Sequence, residues 1–222
     1  MNIVELKKSI ADLQHQGFWN ESIELMQTSG IMNGNAQLDL VYITETYYLL
    51  RDKDELDVNT NQQPKGYKNI KWDFGSTFGE TVEYAFQNYK DDLMTQWILG
   101  TLMENVNIPF LLYTKLDPWD CAPALKARAG KLSENTRIEK IVKYTTAKTP
   151  SPITEAEANE LVKELDMVGF CENDADVELY SYYKDSIQDG VNRMLYPDIY
   201  KQTMALEERI RKLMKELTHP TT

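Results

Sequence analysis

A run of apolar side chains from Phe78 to Val106 limits what this chain can fold into more than any other feature. Phe78, Val82, Phe86, Tyr89, Leu93, Trp97 and Gly100 recur at steps of three and four, which places them in one stripe along an α-helix. Glu80, Glu83, Gln87 and Asp91 keep the same steps on another face, which reads as solvated. Beyond Leu93 the polar face narrows, and Ile98, Leu99, Leu102, Met103 and Val106 leave the segment apolar nearly all round. A helix of that kind sits inside a domain. The spacing predicts a central buried helix over about 78–106, with the other helices packed around it.

The flanking segments carry helical signals as well. Ile3, Leu6, Ile10 and Leu13 form a seam that Gly17 ends, and Asn20 is placed to cap a second helix bearing Ile23 and Met26. Turn residues at Ser29-Gly30 and Asn33-Gly34-Asn35 precede a third helix from Gln37 to Arg51. Residues 57–77 read as a loop pinned to the core by Trp72 and Phe74. Phe110 to Tyr113 is a short apolar run of undecided type. Asp117 to Pro123 reads as a break, with Pro123 opening the next helix and Ser133 capping the one after it. Thr149-Pro150-Ser151-Pro152 punctuates the chain like a linker, and Thr154 with Glu157 makes a capping box for another helix, ending near Val168-Gly169. A helix bearing Tyr180, Tyr183, Ile187 and Val191 follows, broken at Tyr196-Pro197. The last helix carries a seam of Thr203, Leu206, Ile210, Leu213 and Leu217, with Glu207/Arg211 and Glu208/Lys212 as exposed pairs. That seam suits docking onto the body or onto a second copy, giving a homodimer.

The fold class is all-α: an irregular multi-helix bundle of about nine helices, with αα-hairpins at the amino terminus stacked on the central helix. The whole chain, 1–222, is expected to form a single domain, divisible into a main helical body over 1–148 and an acidic helical segment over 153–222.

The run Gln16-Gly17-Phe18-Trp19-Asn20-Glu21-Ser22-Ile23-Glu24-Leu25 resembles the turn and second helix of a tetratricopeptide repeat, through Gly17, Trp19 and Ser22. Thr46 to Leu56 is similar to the first-helix end and turn of a following repeat, although Arg51 replaces the turn glycine and Leu56 the small residue. The resemblance spans residues 3–56. It implies a scaffold whose concave face holds peptides or partner helices.

The formal charge is −11, with a pI near 4.7, so broad contact with nucleic acid or an anionic membrane is excluded for want of a cationic face. Charge is also segregated along the chain. From Lys115 to Lys148 eight basic residues face four acidic ones, net +4; from Thr149 to Gly190 eleven acidic residues face two basic ones, net −9. Two consequences are open: the segments neutralise each other within the fold, or the acidic one offers a docking face to a basic partner. On the second, Glu157, Glu160, Glu164, Asp174 and Asp176 are the candidate partner-binding residues.

Catalytic signals are sparse. His15 lies at a helix end and His219 in the frayed tail, which leaves no metal pair or Ser/His/Asp arrangement, and Cys121 and Cys171 are fifty positions apart with no CxxC pair, so neither a disulfide framework nor a thiolate zinc site is expected. No phosphate-binding glycine loop occurs. Glu172, Asp174, Asp176 and Glu178 invite a calcium reading, but a loop starting at Asp174 puts Leu179 where glycine is needed. Acidic residues three or four apart (Glu80 with Glu83, Glu157 with Glu160 and Glu164, Asp185 with Asp189) could hold magnesium, a pattern similar to the all-α nucleotide pyrophosphatases. On that alternative Glu80, Glu83 and Asp91 are the catalytic candidates and Mg the cofactor, but the fuller acidic motif of those families is missing. Tyr47-Tyr48 and Tyr180 to Tyr183 read as half-buried packing with hydroxyls reaching water. With no apolar leader and no run approaching a membrane span, the expected compartment is the cytoplasm. The expected function is non-catalytic protein binding, of the adaptor, immunity or inhibitor type, with no cofactor.

Overall fold

The computed structural model describes residues 2–105, 107–147, 151–166 and 174–218, with side chains described up to residue 105 and over 107–147, 151–166 and 180–214. Among these residues the secondary structure is helical throughout. The α-helices are α1 (Ile3–Gln16), α2 (Trp19–Thr28), α3 (Ala36–Val58), α4 (Gly75–Asn88), α5 (Leu93–Asn105), α6 (Ile108–Tyr113), α7 (Pro118–Leu132), α8 (Glu139–Thr146), α9 (Glu155–Asp166), α10 (Asp174–Leu195) and α11 (Pro197–Thr218). Two short 3-10 turns, Tyr67–Asn69 and Trp72–Phe74, lie between α3 and α4.

The expected central helix is two helices. The apolar stripe runs through both α4 and α5, but the chain breaks over residues 89–92. Asp92 supplies the break, because its carboxylate accepts from the Thr95 N–H at 2.7 Å and so caps α5. Tyr89 holds the other side: its hydroxyl donates to Asp39 at 2.7 Å, and its carbonyl accepts from the Gln96 side-chain amide at 2.9 Å. The expected core position is right for α5, where every residue from Thr95 to Met103 is buried.

A second post was not expected to be so deep. Asn35 caps α3 by accepting from the Gln37 and Leu38 N–H groups, and the helix runs to Val58, about two turns beyond the Arg51 end expected from its pattern. Its middle is buried nearly all round, with Tyr42, Ile43 and Tyr47 fully covered. α3 packs on α1, α2, α4, α5 and α6, while α5 packs chiefly on α7. Tyr183 of α10 stacks on Trp97 at 4.9 Å between centroids, and shares a 2.8 Å hydrogen bond with the Thr101 hydroxyl. The acidic carboxy-terminal segment therefore contributes to the same buried cluster as the main body. Tyr47 and Tyr183 are fully buried rather than half-exposed, and Tyr47 donates to the Leu102 carbonyl at 3.3 Å.

Other local expectations shift for identifiable reasons. Asn20 does not cap α2, which starts one residue earlier; its side chain instead clamps the loop, donating to the Asn69 carbonyl and accepting from the Lys71 N–H, both at 2.8 Å. Trp72 and Phe74 do pin that loop, with Phe74 buried and Trp72 edge-on to Tyr67 at 5.6 Å. The segment after Asp117 is helical: Asp117 caps α7 by accepting from the Trp119 N–H at 2.9 Å, Pro118 opens it, and Pro123 lies inside. Ser133 closes α7, its N–H bonding to the Ala129 carbonyl, rather than opening α8. The Thr154–Glu157 capping box forms as expected. Residues 149–150, 168–173 and 219 fall outside the described residues, and with them the linker start, Cys171, His219 and the first part of the calcium reading.

Candidate functional site

The acidic candidates are best built from α9. Ala158, Leu161 and Leu165 bury one face of this helix against α8 and α10, and the carboxylates line the other. Glu157 is turned back into the capping box, accepting from the Thr154 N–H and hydroxyl, which hold its carboxyl below the ordinary value. Glu160 meets the Lys140 ammonium at 2.5 Å, and Glu164 accepts from the Ile141 N–H of α8 at 3.2 Å. The acidic and basic segments thus face each other at the α8–α9 seam, so Glu160 and Glu164 already serve the fold. Glu155 is exposed at the start of the helix, and Asp185 is exposed on α10. Asp174 and Asp176 lie in the first turn of α10, and their side chains are outside the described set.

The carboxylates singled out for metal chemistry are dispersed. Glu80 points to solvent. Glu83 accepts from the Lys115 N–H at 2.8 Å, and so fastens the α6–α7 connection to α4. Asp91 sits in the turn between α4 and α5, off the helical stripe that its spacing implied. Asp189 does not join Asp185, because it is bound by the guanidinium of Arg193, Nε at 2.7 Å. Among the described residues no group of three or more His, Cys, Asp and Glu side chains is arranged to hold a metal ion. Cys121 is half-buried against the core, and burial pushes its thiol up, away from a reactive thiolate.

Two clefts were not foreseen. The first, of about 350 Å³, opens between α1, α3 and the loop at Pro64-Lys65, and is lined by Gln14, His15, Trp19, Glu45, Tyr48 and Asp52 among others. Its edges are fixed by backbone fit. Gly17 ends α1 at φ +88°, Gly66 turns the loop at φ +79°, and a Cβ on Gly66 would collide with the Gly17 backbone. The Trp19 indole N–H donates to the Lys65 carbonyl at 2.7 Å and locks the loop against α2. Glu45, only 8% exposed, accepts from the Gln14 side-chain amide at 2.9 Å. Arg51 binds Asp52 through Nε at 2.5 Å and lies 4.6 Å from the centre of the Tyr48 ring.

The second cleft, of about 500 Å³, lies between α11 and the body, with Met103, Trp119, Lys126, Tyr182, Met204 and Met214 in its walls. Lys126 is buried there and paired with Glu104 at 2.5 Å. The Arg193 guanidinium rests 3.9 Å from the Tyr200 ring centre. The seam of α11 is only partly engaged: Leu206, Ile210 and Leu213 are 58%, 51% and 51% exposed, and only Ile210 of the three reaches the cleft.

The single sequence hint of either cleft was the clustering of Trp19 and Tyr48 within the repeat-like stretch. No described helix is long and apolar enough to cross a membrane. Comparison with known proteins finds no matching family model, no significant match among curated proteins and none among solved structures.

Proposed function

We propose that this protein is a non-catalytic protein-binding module, of the adaptor, immunity or inhibitor type, that offers an acidic helical surface to a basic partner. The observation that carries the reading is the construction of α9. Its apolar face is spent on the fold, whereas Glu155, Glu157 and Glu160 stay exposed on the rest of it, the last two while bonded to Thr154 and Lys140, on a chain of net charge −11. Glu155 on α9 and Asp185 on α10 are exposed carboxylates outside the residues tied to α8. A surface of this sign speeds encounter with a cationic protein and sets its orientation. The repeat-like stretch over residues 3–56 belongs to the same reading, as the scaffold that carries the first cleft.

The test is charge reversal. The wild-type chain should retain a basic protein from lysate, and the double variant Glu155→Lys/Asp185→Lys should retain less of it while melting at the same temperature. Equal retention by both would remove the acidic face from the account.

A further inference from the structure

α11 carries two stripes at helical spacing, and the body takes chiefly one of them. Tyr200, Met204, Glu207, Arg211 and Met214 recur at steps of four and three and line the second cleft. Beside them Tyr196, Ile199, Thr203, Leu206, Ile210 and Leu213 alternate steps of three and four, which sets them in one row along the helix. Tyr196 belongs to the row although Pro197 follows it. Its N–H donates to the Asn192 carbonyl at 2.8 Å and its carbonyl accepts from the Tyr200 N–H at 3.2 Å, so the helical phase carries through the break. The five large apolar side chains of this row are between 51% and 64% exposed. Single exposed apolar residues need no cover, but a contiguous row of them marks an interaction surface.

We propose that a second copy of this chain covers the row, with the two α11 helices antiparallel about a two-fold axis passing between Met204 and Ala205. In that register Ile199 meets Ile210 of the second copy, Tyr196 meets its Leu213 and Thr203 meets its Leu206, each contact being made twice. Charge favours this occupant. α11 holds five basic and four acidic residues, net +1, on a chain of −11. Two copies of an acidic chain can meet here without the repulsion their other surfaces impose, and a basic protein gains nothing from this helix. Asp198 and Arg209, both exposed, are three turns apart and so flank the row on the same side. Antiparallel pairing brings Asp198 of each copy to Arg209 of the other. The five half-exposed side chains offer on the order of 100 Å² each, so two copies cover on the order of 1,000 Å² before the flanks are counted, near the least a specific interface needs. That size suits a dimer in exchange with monomer, with a Kd in the micromolar range. The pairing does not depend on the basic partner or on the acidic face of α9.

The experiment is sedimentation equilibrium of the full chain over a concentration series. Wild type should pass from monomer to dimer, and Leu206→Asp should stay monomeric at about 0.1 mM, because it sets an unpaired charge in the seam. Asp198→Arg and Arg209→Asp should each raise Kd at least about tenfold, since like charges then face each other at two places. The double variant Asp198→Arg/Arg209→Asp restores the pair with its signs reversed, and should return to within about threefold of wild type. All three positions are exposed, so the variants should keep the wild-type helical signal in circular dichroism. A wild type still monomeric at about 0.1 mM, far above a micromolar Kd, overturns the proposal. A dimer that survives Leu206→Asp does the same, because it forms elsewhere. Charge reversals that have no effect, or that the double variant does not rescue, overturn the antiparallel register. Loss of the basic partner with Leu206→Asp, from a wild type that does not self-associate, gives the seam to that partner and overturns self-pairing.

Discussion

At the scale of single residues, the fold depends on a few side chains whose partners lie far away in sequence. Asp39 is fully buried and accepts from the Met32 N–H at 2.6 Å and the Tyr89 hydroxyl at 2.7 Å, tying the turn before α3 to the turn between α4 and α5. Burial raises its carboxyl above the ordinary 3.8, outweighing the two hydrogen bonds that lower it. A raised carboxyl gives stability that is complete below the unfolded value and fades as pH climbs through the folded one. Urea titrations of wild type and Asp39→Asn should therefore show wild type gaining, relative to the variant, as pH falls from neutrality toward 3.8. Tyr89→Phe leaves the buried carboxylate short of a donor and should cost about 1–3 kcal/mol in the same assay. Gly79 makes a different demand, since a Cβ there would run into the Tyr113 carbonyl of α6. Gly79→Ala should lower stability by about 1–3 kcal/mol, seen as a drop in Tm, because α6 has to move away.

At the scale of elements, periodicity located α5 in the core but not the break ahead of it. Tyr89 and Leu93 keep the phase of the stripe across the gap, so the apolar pattern continues where the backbone does not. The capping signal was present in Asp92 and Thr95, and was outweighed by the pattern around it. Asn20 shows the opposite failure. It is a proper capping residue, yet the loop at 69–71 takes its side chain, a contact across about fifty positions that no local rule reveals. The Thr154–Glu157 box was legible because both partners sit within one turn. The clefts were not, since Gln14 meets Glu45 and Trp19 meets Lys65 only after α1, α3 and the loop have packed. α9 illustrates which forces hold an element in place. Lys140 and Glu160 are largely exposed, so Lys140→Ala should leave the melting temperature unchanged. Leu161→Ala empties part of the buried face and should cost about 2–4 kcal/mol by denaturant unfolding.

At the scale of the whole molecule, one buried cluster links the amino-terminal helices to α10, and the described residues offer partners the charge on the surface, the two clefts and the seam of α11. If a second copy covers that seam, sedimentation should show a dimer for wild type and a monomer for Leu206→Asp/Ile210→Asp. A monomer in both cases removes self-association from the proposal. The dispersal of Glu80, Glu83 and Asp91 bears on the magnesium-dependent alternative, for which magnesium with nucleotides should raise Tm; the binding account expects no shift. The most direct measurement of that account is the ionic-strength dependence of the association rate with the captured basic partner. Docking onto the acidic face predicts that the rate falls steeply between about 0.05 and about 0.5 M salt, as screening shortens the reach of the surface charge. A rate that stays constant over that range would contradict it.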